Sequence, residues 1–154
     1  MARERRFEQK TPSEFDNKVI DIRRTARVVS GGRRFSFRVA IVIGNRKGQV
    51  GVGIGKGVDT ATAIEKATRL AKRTAIKVPL TKDSSISHEV YAKYASSRIF
   101  LKPVQKGNGL IAGSSVRTVL DMAGVRDVTA KIFSRSKNKL NNAKGALAAL
   151  RKLS

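Results

Sequence analysis

The chain has 154 residues and carries 33 Lys and Arg against 11 Asp and Glu, a formal net charge of +22. Self-repulsion of this size opposes compaction unless a polyanion neutralises it, so nucleic acid is the expected partner. With no Cys and one His, the sequence offers neither a disulfide framework nor a metal site. There is no membrane-spanning apolar run, secretory signal or lipidation signal, so we expect a cytoplasmic protein without a membrane partner.

The positive charge is segregated along the chain. No acid occurs between Asp21 and Asp59, and none follows Asp127. Solvated surfaces usually interleave both signs, so two acid-free blocks predict two surfaces that contact phosphate.

The first part of the chain predicts an arm and a strand. Residues 1–17 are charged and poor in aliphatic residues, which is typical of a flexible basic arm. Val19 to Val29 predicts a half-buried strand with cations on its outer face. Its predicted apolar positions are Ile20, Ile22, Ala26 and Val28. A turn at Ser30-Gly31-Gly32 follows.

Residues 33–78 complete a predicted sheet of three antiparallel strands with one helix. The second strand has apolar residues at period two, namely Phe35, Phe37, Val39, Ile41 and Ile43. A hairpin loop at residues 44–48 leads to a glycine-rich strand from Gln49 to Ile54. Asp59 or Thr60 can cap a helix, which Pro79 is expected to end. Its predicted apolar stripe is Ile64, Ala67, Ala71 and Ala75.

The second half predicts the order strand, strand, helix, strand, helix. The strands are expected at residues 89–94, 98–104 and 128–132. Ser114 is expected to cap the first helix and Gly124 to end it, and the second begins near Leu140. The fold class is therefore α+β, with domains at residues 18–80 and 88–154.

Two glycine-rich segments invite a nucleotide-binding interpretation that the spacing does not support. Gly51 to Gly57 lacks both the phosphate-loop and the dinucleotide pattern. Gly107 to Ala112 fits the looser Gly-x-Gly-x-x-Ala form, but the acidic residue expected at the end of the next strand is missing. For the first segment, we favour a backbone that lies close to an RNA phosphate, or a simple bulge. For the second segment, we favour backbone amides that contact phosphate or a protein partner.

No catalytic constellation can be assembled from eleven scattered acids and one histidine, so no enzyme, cofactor or small-molecule substrate is predicted. Phe35 and Phe37 could stack on bases, but their alternation with Ser36 and Arg38 points them towards the core. His88 lies in a polar connector and is expected to be exposed.

Several motifs resemble small-subunit ribosomal protein S-five of bacterial type. In the first half they are Gly32-Arg33, Phe35-Ser36-Phe37, Ile43-Gly44-Asn45 and the glycine run from Gly48 to Lys56. In the second half they are Ser97 to Pro103, Gly107 to Gly113, and Ala123-Gly124-Val125. The resemblance covers nearly the whole chain, roughly Lys18 to Leu153.

This resemblance implies a double-stranded-RNA-binding-like first domain and a left-handed βαβ crossover in the second. It also implies a structural role in the small (30S-type) ribosomal subunit: binding 16S-type rRNA and supporting assembly, head–body organisation and translational accuracy. Ribosomal proteins four and eight would be neighbours, with mRNA nearby where it enters the subunit.

Residue by residue, charge and loop position predict rRNA contacts at Arg23, Arg24, Arg27, Gly31, Gly32, Arg33, Arg34, Arg46, Lys47 and Lys56. The resemblance implies that Val29, Ser30, Gly31, Gly32 and Arg33 match the loop near the spectinomycin site. It also implies that Gly109 and Arg117 match an interface with the fourth protein that is tied to accuracy.

Two other functions fit parts of the sequence. A free-standing double-stranded-RNA-binding module or RNA chaperone would share the charge and the first domain, and a nucleotide-dependent enzyme would use a glycine loop. The second half of the chain has its own acid-free block. This favours a protein with a fixed position and several contacts over a free-standing RNA-binding module. Binding of labelled nucleotide in equilibrium dialysis would identify the second.

Overall fold

The computed structural model describes residues 14–153, which form two four-stranded sheets and three helices. The first sheet has the antiparallel order β1-β2-β3-β4. Its strands are β1 (Asp16–Val29), β2 (Gly32–Gly44), β3 (Gln49–Gly57) and β4 (Ile76–Lys77), with helix α1 (Thr60–Arg73) between β3 and β4. Helix α1 and the first three strands confirm the predicted α+β unit, and β4 is a fourth strand that the sequence did not predict.

The second sheet has the order β5-β6-β8-β7, in which β7 runs parallel to β8. Its strands are β5 (Val90–Tyr94), β6 (Ser97–Pro103), β7 (Leu110–Ile111) and β8 (Val128–Ile132), and its helices are α2 (Ser114–Ala123) and α3 (Lys139–Arg151). Strand β7 was not predicted from the sequence, because two residues are too few for a periodic pattern. With α2 and β8 it makes a βαβ unit, whose hand stays a prediction.

The glycines of β3 allow α1 to pack directly on the sheet. A Cβ atom built on Gly51, Gly53 or Gly55 would overlap the backbone of α1. The helix presents small residues in return, since Ala63, Ala67 and Ala71 are fully buried there. The alternating glycines therefore serve close helix–sheet packing, and neither a phosphate contact nor a bulge explains them.

The second half of β2, from Val39 to Gly44, and most of β3 are buried on both faces. On one face Val39, Ile41 and Ile43 pack with α1. On the other face Val42, Val50 and Val52 join a core that also contains buried residues of α2, α3 and the second sheet. The two predicted domains therefore share one hydrophobic core, and their division near residues 81–87 stays a proposal.

Helix α1 ends earlier than predicted. Its last residue is Arg73, and Thr74 follows as C-cap. Thr74 Oγ1 lies 3.1 Å from the carbonyl oxygen of Val52, and Ile76 then pairs with Val50 as part of β4. Strand pairing, rather than Pro79, is what ends the helix, and Ala75 lies outside it.

The helix caps of the second half agree with the sequence in part. Gly124 ends α2 in the left-handed conformation (φ +81°), as predicted. The N-cap of α2 is Gly113 and not Ser114, which is the first helical residue. Helix α3 begins at Lys139, where the Asn138 side chain accepts hydrogen bonds from the amides of Leu140 and Asn141.

The start of β1 differs from the expected arm. Asp16 already lies in the strand, and Phe15 is half-buried against the core beneath α1. The rest of the predicted arm, residues 1–13, lies outside the described residues. Within residues 14–153, none of the helices is long and apolar enough to cross a bilayer.

The close packing of β3 on α1 can be tested with Gly53→Val. We expect the added side chain to lower the free energy of unfolding by about 1–3 kcal/mol, because the backbone of α1 must move away. Urea denaturation followed by circular dichroism measures this change. Gly31→Ala is the matched control, since nothing lies within 4 Å of a Cβ there. Equal stability of the two variants would contradict the packing.

Candidate nucleic-acid interface

Strands β1 and β2 extend beyond the rest of the first sheet as a two-stranded ribbon. Strand β3 pairs with β2 only between Phe37 and Gly44. The remaining part of β2, from Gly32 to Ser36, pairs only with β1, from Thr25 to Val29. Most residues of this ribbon are exposed. It therefore offers both of its faces to a partner.

The register sorts the cations of the ribbon into two faces. Arg27 lies opposite Arg34, and Arg23 lies opposite Arg38, whose other neighbour is Lys56 on β3. Residues paired across antiparallel strands project from the same side of the sheet. We call this set, Arg23, Arg27, Arg34, Arg38 and Lys56, the arginine face.

Like charges placed directly opposite each other destabilise an antiparallel pair. On the described part of the chain, the arginine face forms one ion pair, from Arg23 Nε to Asp21 Oδ2 at 2.8 Å. The same carboxylate group also lies 3.9 Å from Lys139 Nζ at the start of α3. One shared carboxylate cannot neutralise five cations, so most of the charge on this face has no carboxylate partner among the described residues.

Arg24 and Arg33 project from the opposite face of the ribbon. Arg24 lies opposite Phe37, and its guanidinium carbon is 4.4 Å from the centre of the Phe35 ring. Phe35 is 45% exposed, so its predicted place in the core is wrong. The second domain and α1 bury only the other end of β2. The period-two pattern does not indicate where along the strand this burial ends. Phe37 packs against the core beneath α1, as predicted.

A β-bulge at Ile20 changes the predicted faces of β1. Val19 pairs with Ile41 and Asp21 with Ala40, which leaves Ile20 outside the register. Ile20 packs against the shared core, whereas Ile22 projects from the other side and is 50% exposed. The predicted face is therefore wrong for Ile20, because the prediction assumed an unbroken alternation. Ile22, Ala26 and Val28 do share a face, but they are exposed and not half-buried.

The turn at the tip of the ribbon, residues 29–33, surrounds an open depression with Arg27 and Arg34. Gly32 has φ +127°, a conformation that residues with a side chain rarely adopt. Gly31 and Gly32 both have open space where a Cβ would be. The loop predicted near the spectinomycin site thus adjoins the arginine face.

Arg46 and Lys47 lie at the other end of β2, about 40 Å from the tip at the usual rise per strand residue. The backbone of their loop is docked on the end of α2: Arg46 N–H donates to the Met122 carbonyl at 3.0 Å, and Gly48 N–H donates to the Ala123 carbonyl at 2.9 Å. The Arg46 side chain is 3.7 Å from Asp16. The structure therefore separates these two residues from the predicted rRNA-binding set on the ribbon.

Gly109 and Arg117 line one open depression of about 580 Å³, together with Lys18 of β1 and Asp121 of α2. Arg117 is exposed and Gly109 is half-buried. The structure thus brings together the two residues predicted at a protein interface, and it places them at the opposite end of β1 from the ribbon tip.

The glycine loop before β7 is closed by a carboxylate. Asp127 Oδ1 accepts hydrogen bonds from the amides of Gly107, at 3.1 Å, and Gly109, at 2.8 Å. These amides are therefore not free for the predicted contact with phosphate or a partner. Beside them, Lys106 donates a hydrogen bond to Asp83 at 2.9 Å, and this bond raises the pKa of Lys106.

The remaining candidate groups are the acidic side chains and His88. Within residues 14–153, no group of three or more His, Asp or Glu side chains is placed to hold a metal ion. His88 is exposed, as predicted, and its ring contacts the neighbouring Ser87 hydroxyl.

Comparison with known proteins agrees with this architecture. Residues 15–79 match the family described as ribosomal protein S5, N-terminal domain, and residues 92–154 match ribosomal protein S5, C-terminal domain. The chain belongs to the ribosomal protein S5 family. This confirms the resemblance, and with it a structural, non-enzymatic kind of protein.

Relatives from several lineages support this assignment. Small ribosomal subunit protein uS5 of Thermosynechococcus vestitus is 46% identical over 97% of this chain and 87% of its own length. The proteins named uS5c of Rhodomonas salina and Cyanophora paradoxa are 45% and 46% identical, over 92% and 91% of this chain and 83% and 82% of their own lengths. Similarity at this level extends through both halves.

Arg38 is the residue of the arginine face that the sequence-based set missed. It follows Arg34 at an interval of four residues on β2, so period-two alternation alone already placed the two on one face. Its position between Arg23 and Lys56 required the register of three strands.

The Asp127 carboxylate can be tested by two substitutions. We expect Asp127→Ala to lower the free energy of unfolding by about 1–3 kcal/mol, because two loop amides lose a charged acceptor. Asp127 also has φ +34°, which Asn tolerates better than Ala. Asp127→Asn keeps an acceptor oxygen and is expected to lose less than half as much in chemical denaturation. Equal losses for the two variants would contradict this role.

Proposed function

We propose that this protein is a structural constituent of the small ribosomal subunit and binds small-subunit rRNA through the arginine face and the tip of its ribbon. The observation that carries the proposal is the row Arg23–Arg38–Lys56 beside the pair Arg27–Arg34. Five cations held opposite one another on an exposed surface lower stability unless phosphates lie between them. Family membership supplies the ribosome as the source of that RNA.

Recognition of this kind depends on shape and backbone more than on base sequence. Strands fix the spacing of the cations, so they can follow the phosphates of a folded RNA. Arg24, Arg33, Gly31 and Gly32 would add contacts on the other face and at the tip. Arg46 and Lys47 would contact a different part of the RNA or none, since they lie at the far end of β2.

The finer roles rest on the family resemblance. We propose that the protein supports subunit assembly, head–body organisation and translational accuracy. The depression with Gly109 and Arg117 would meet ribosomal protein four. Ribosomal protein eight would be a further neighbour, with mRNA near the point where it enters the subunit.

A free-standing RNA-binding module remains the second candidate, because the ribbon alone would serve it equally well. Sedimentation of a tagged protein through sucrose gradients at moderate and high salt separates the two. We expect co-migration with the small subunit that survives high salt, since shape and protein contacts add to charge. Protein at the top of the gradient, or released at high salt, would favour the free module.

The arginine face makes a quantitative prediction about salt. Arg27→Gln with Arg34→Gln should reduce the magnitude of the slope of log affinity against log salt by about 1.4–1.8, because each lost phosphate contact contributes about 0.7–0.9. Filter binding to purified small-subunit rRNA measures this slope. The control removes the same charge elsewhere, with Lys82→Gln and Lys93→Gln, both exposed. Equal slopes for the two double variants would contradict the assigned face.

The tip can be tested with Gly32→Asp. The variant adds a side chain where φ is +127° and a negative charge beside Arg33, so we expect poorer incorporation into subunits and an altered response to spectinomycin. Polysome profiles and drug sensitivity of a strain that depends on the variant are the measurements. Gly31→Asp adds the charge at a position without positive φ, and Gly32→Ala adds strain without charge. Wild-type profiles and drug response in Gly32→Asp would contradict the prediction.

A further inference from the structure

The face of β1 and β2 opposite the arginine face carries exposed apolar side chains beside Arg24 and Arg33. Ile22, Val28 and Phe35 project from it and are 50%, 77% and 45% exposed. We call these three residues the apolar face. A group of exposed apolar side chains on a projecting element usually marks a binding surface.

The cations of this face show which partner would fit. The Arg24 guanidinium lies over the Phe35 ring, 4.4 Å from its centre, and Arg33 lies directly opposite Val28. The sequence has no acid between Asp21 and Asp59. A partner that covers this surface must therefore supply negative charge together with a flat apolar group. A nucleotide has both, in its phosphate and its base.

We propose that Phe35 and Arg24 form a platform on which an unpaired base of RNA stacks. The proposal rests on the proposed function, since it assumes that the ribbon binds RNA. A guanidinium is planar and stacks on aromatic rings, so the Arg24–Phe35 pair can continue into a stack with a base. Arg33 is then placed to meet a phosphate of the same strand. RNA would contact both faces of the ribbon: phosphates on the arginine face and a base on this one.

A protein partner is the competing occupant of this face. It could cover Ile22, Val28 and Phe35 equally well, but it would have to bring carboxylates for Arg24 and Arg33. An RNA strand brings negative charge at every nucleotide. The interleaving of arginines with a ring therefore favours RNA, and a protein is an outcome of the test.

The chain has no tryptophan, so Phe35→Trp creates a single fluorescent probe at the platform. Titration with purified small-subunit rRNA should quench this fluorescence, because the indole stacks on a base. Tyr91→Trp is the matched control: Tyr91 is 47% exposed but lies on β5, in the other sheet. We expect strong quenching at position 35 and little at position 91.

Affinity measurements separate stacking from charge. Phe35→Leu keeps an apolar side chain without a ring, and Arg24→Lys keeps the charge without a plane. Each should raise the Kd for small-subunit rRNA by about 5- to 100-fold, the usual range for loss of one stacked base. The slope of log affinity against log salt should stay unchanged, in contrast to the double variant Arg27→Gln with Arg34→Gln. Circular dichroism should show native folds, because both positions are exposed.

The outcomes distinguish this inference from the proposed function. If neither the wild-type protein nor any variant binds the rRNA, the proposed function is wrong. If the protein binds with a salt slope that depends on Arg27 and Arg34, but the indole of Phe35→Trp is not quenched and Phe35→Leu binds normally, only the platform is overturned. The fluorescence of that indole could instead change only when other ribosomal proteins are added. This result would also overturn the platform, in favour of a protein partner.

Discussion

The rest of the structure depends on the close contact between the glycines of β3 and the alanines of α1. Because Gly51, Gly53 and Gly55 carry no Cβ, the helix backbone lies directly on the sheet and the layer is thin. Small residues on both sides allow this close contact. The opposite face of β2 and β3, lined by valines, is left for the second half of the chain. One sheet thus anchors two layers, and the two halves share one core.

A second contact fixes the orientation of that shared core. The loop between β2 and β3 donates its amides to the last carbonyls of α2, and Gly124 lies against the backbone of Arg46. These carbonyls lack partners within their own helix, so the loop acts as a cap supplied by the other half. The sequence suggests a role for the charged side chain of Arg46, but in the structure its backbone links the two halves.

Strand β1 then connects two surfaces of different chemistry. Lys18 lies at the depression that contains Gly109 and Arg117, and Val29 lies at the ribbon tip, about 35 Å away at the usual rise per residue. Paired residues of β1 and β2 span this distance. The proposed RNA surface at one end and a second surface at the other would suit a fixed place in an assembly better than free RNA binding. The opposed arginines repel one another, and a bound polyanion would remove that cost.

Properties that depend on composition or on near neighbours could be predicted from the sequence alone: the charge, the α+β class, the turn at Gly31-Gly32, the end of α2 at Gly124, and the family motifs. Properties that depend on residues far apart in the chain could not. The bulge at Ile20 moved that residue to the opposite face from Ile22, and the register across three strands placed Arg38 between Arg23 and Lys56. The exposure of Phe35 and the closing of the glycine loop by Asp127 were likewise decided by tertiary contacts. Local patterns state which side chains share a strand face, but only packing decides whether that face is covered and by what.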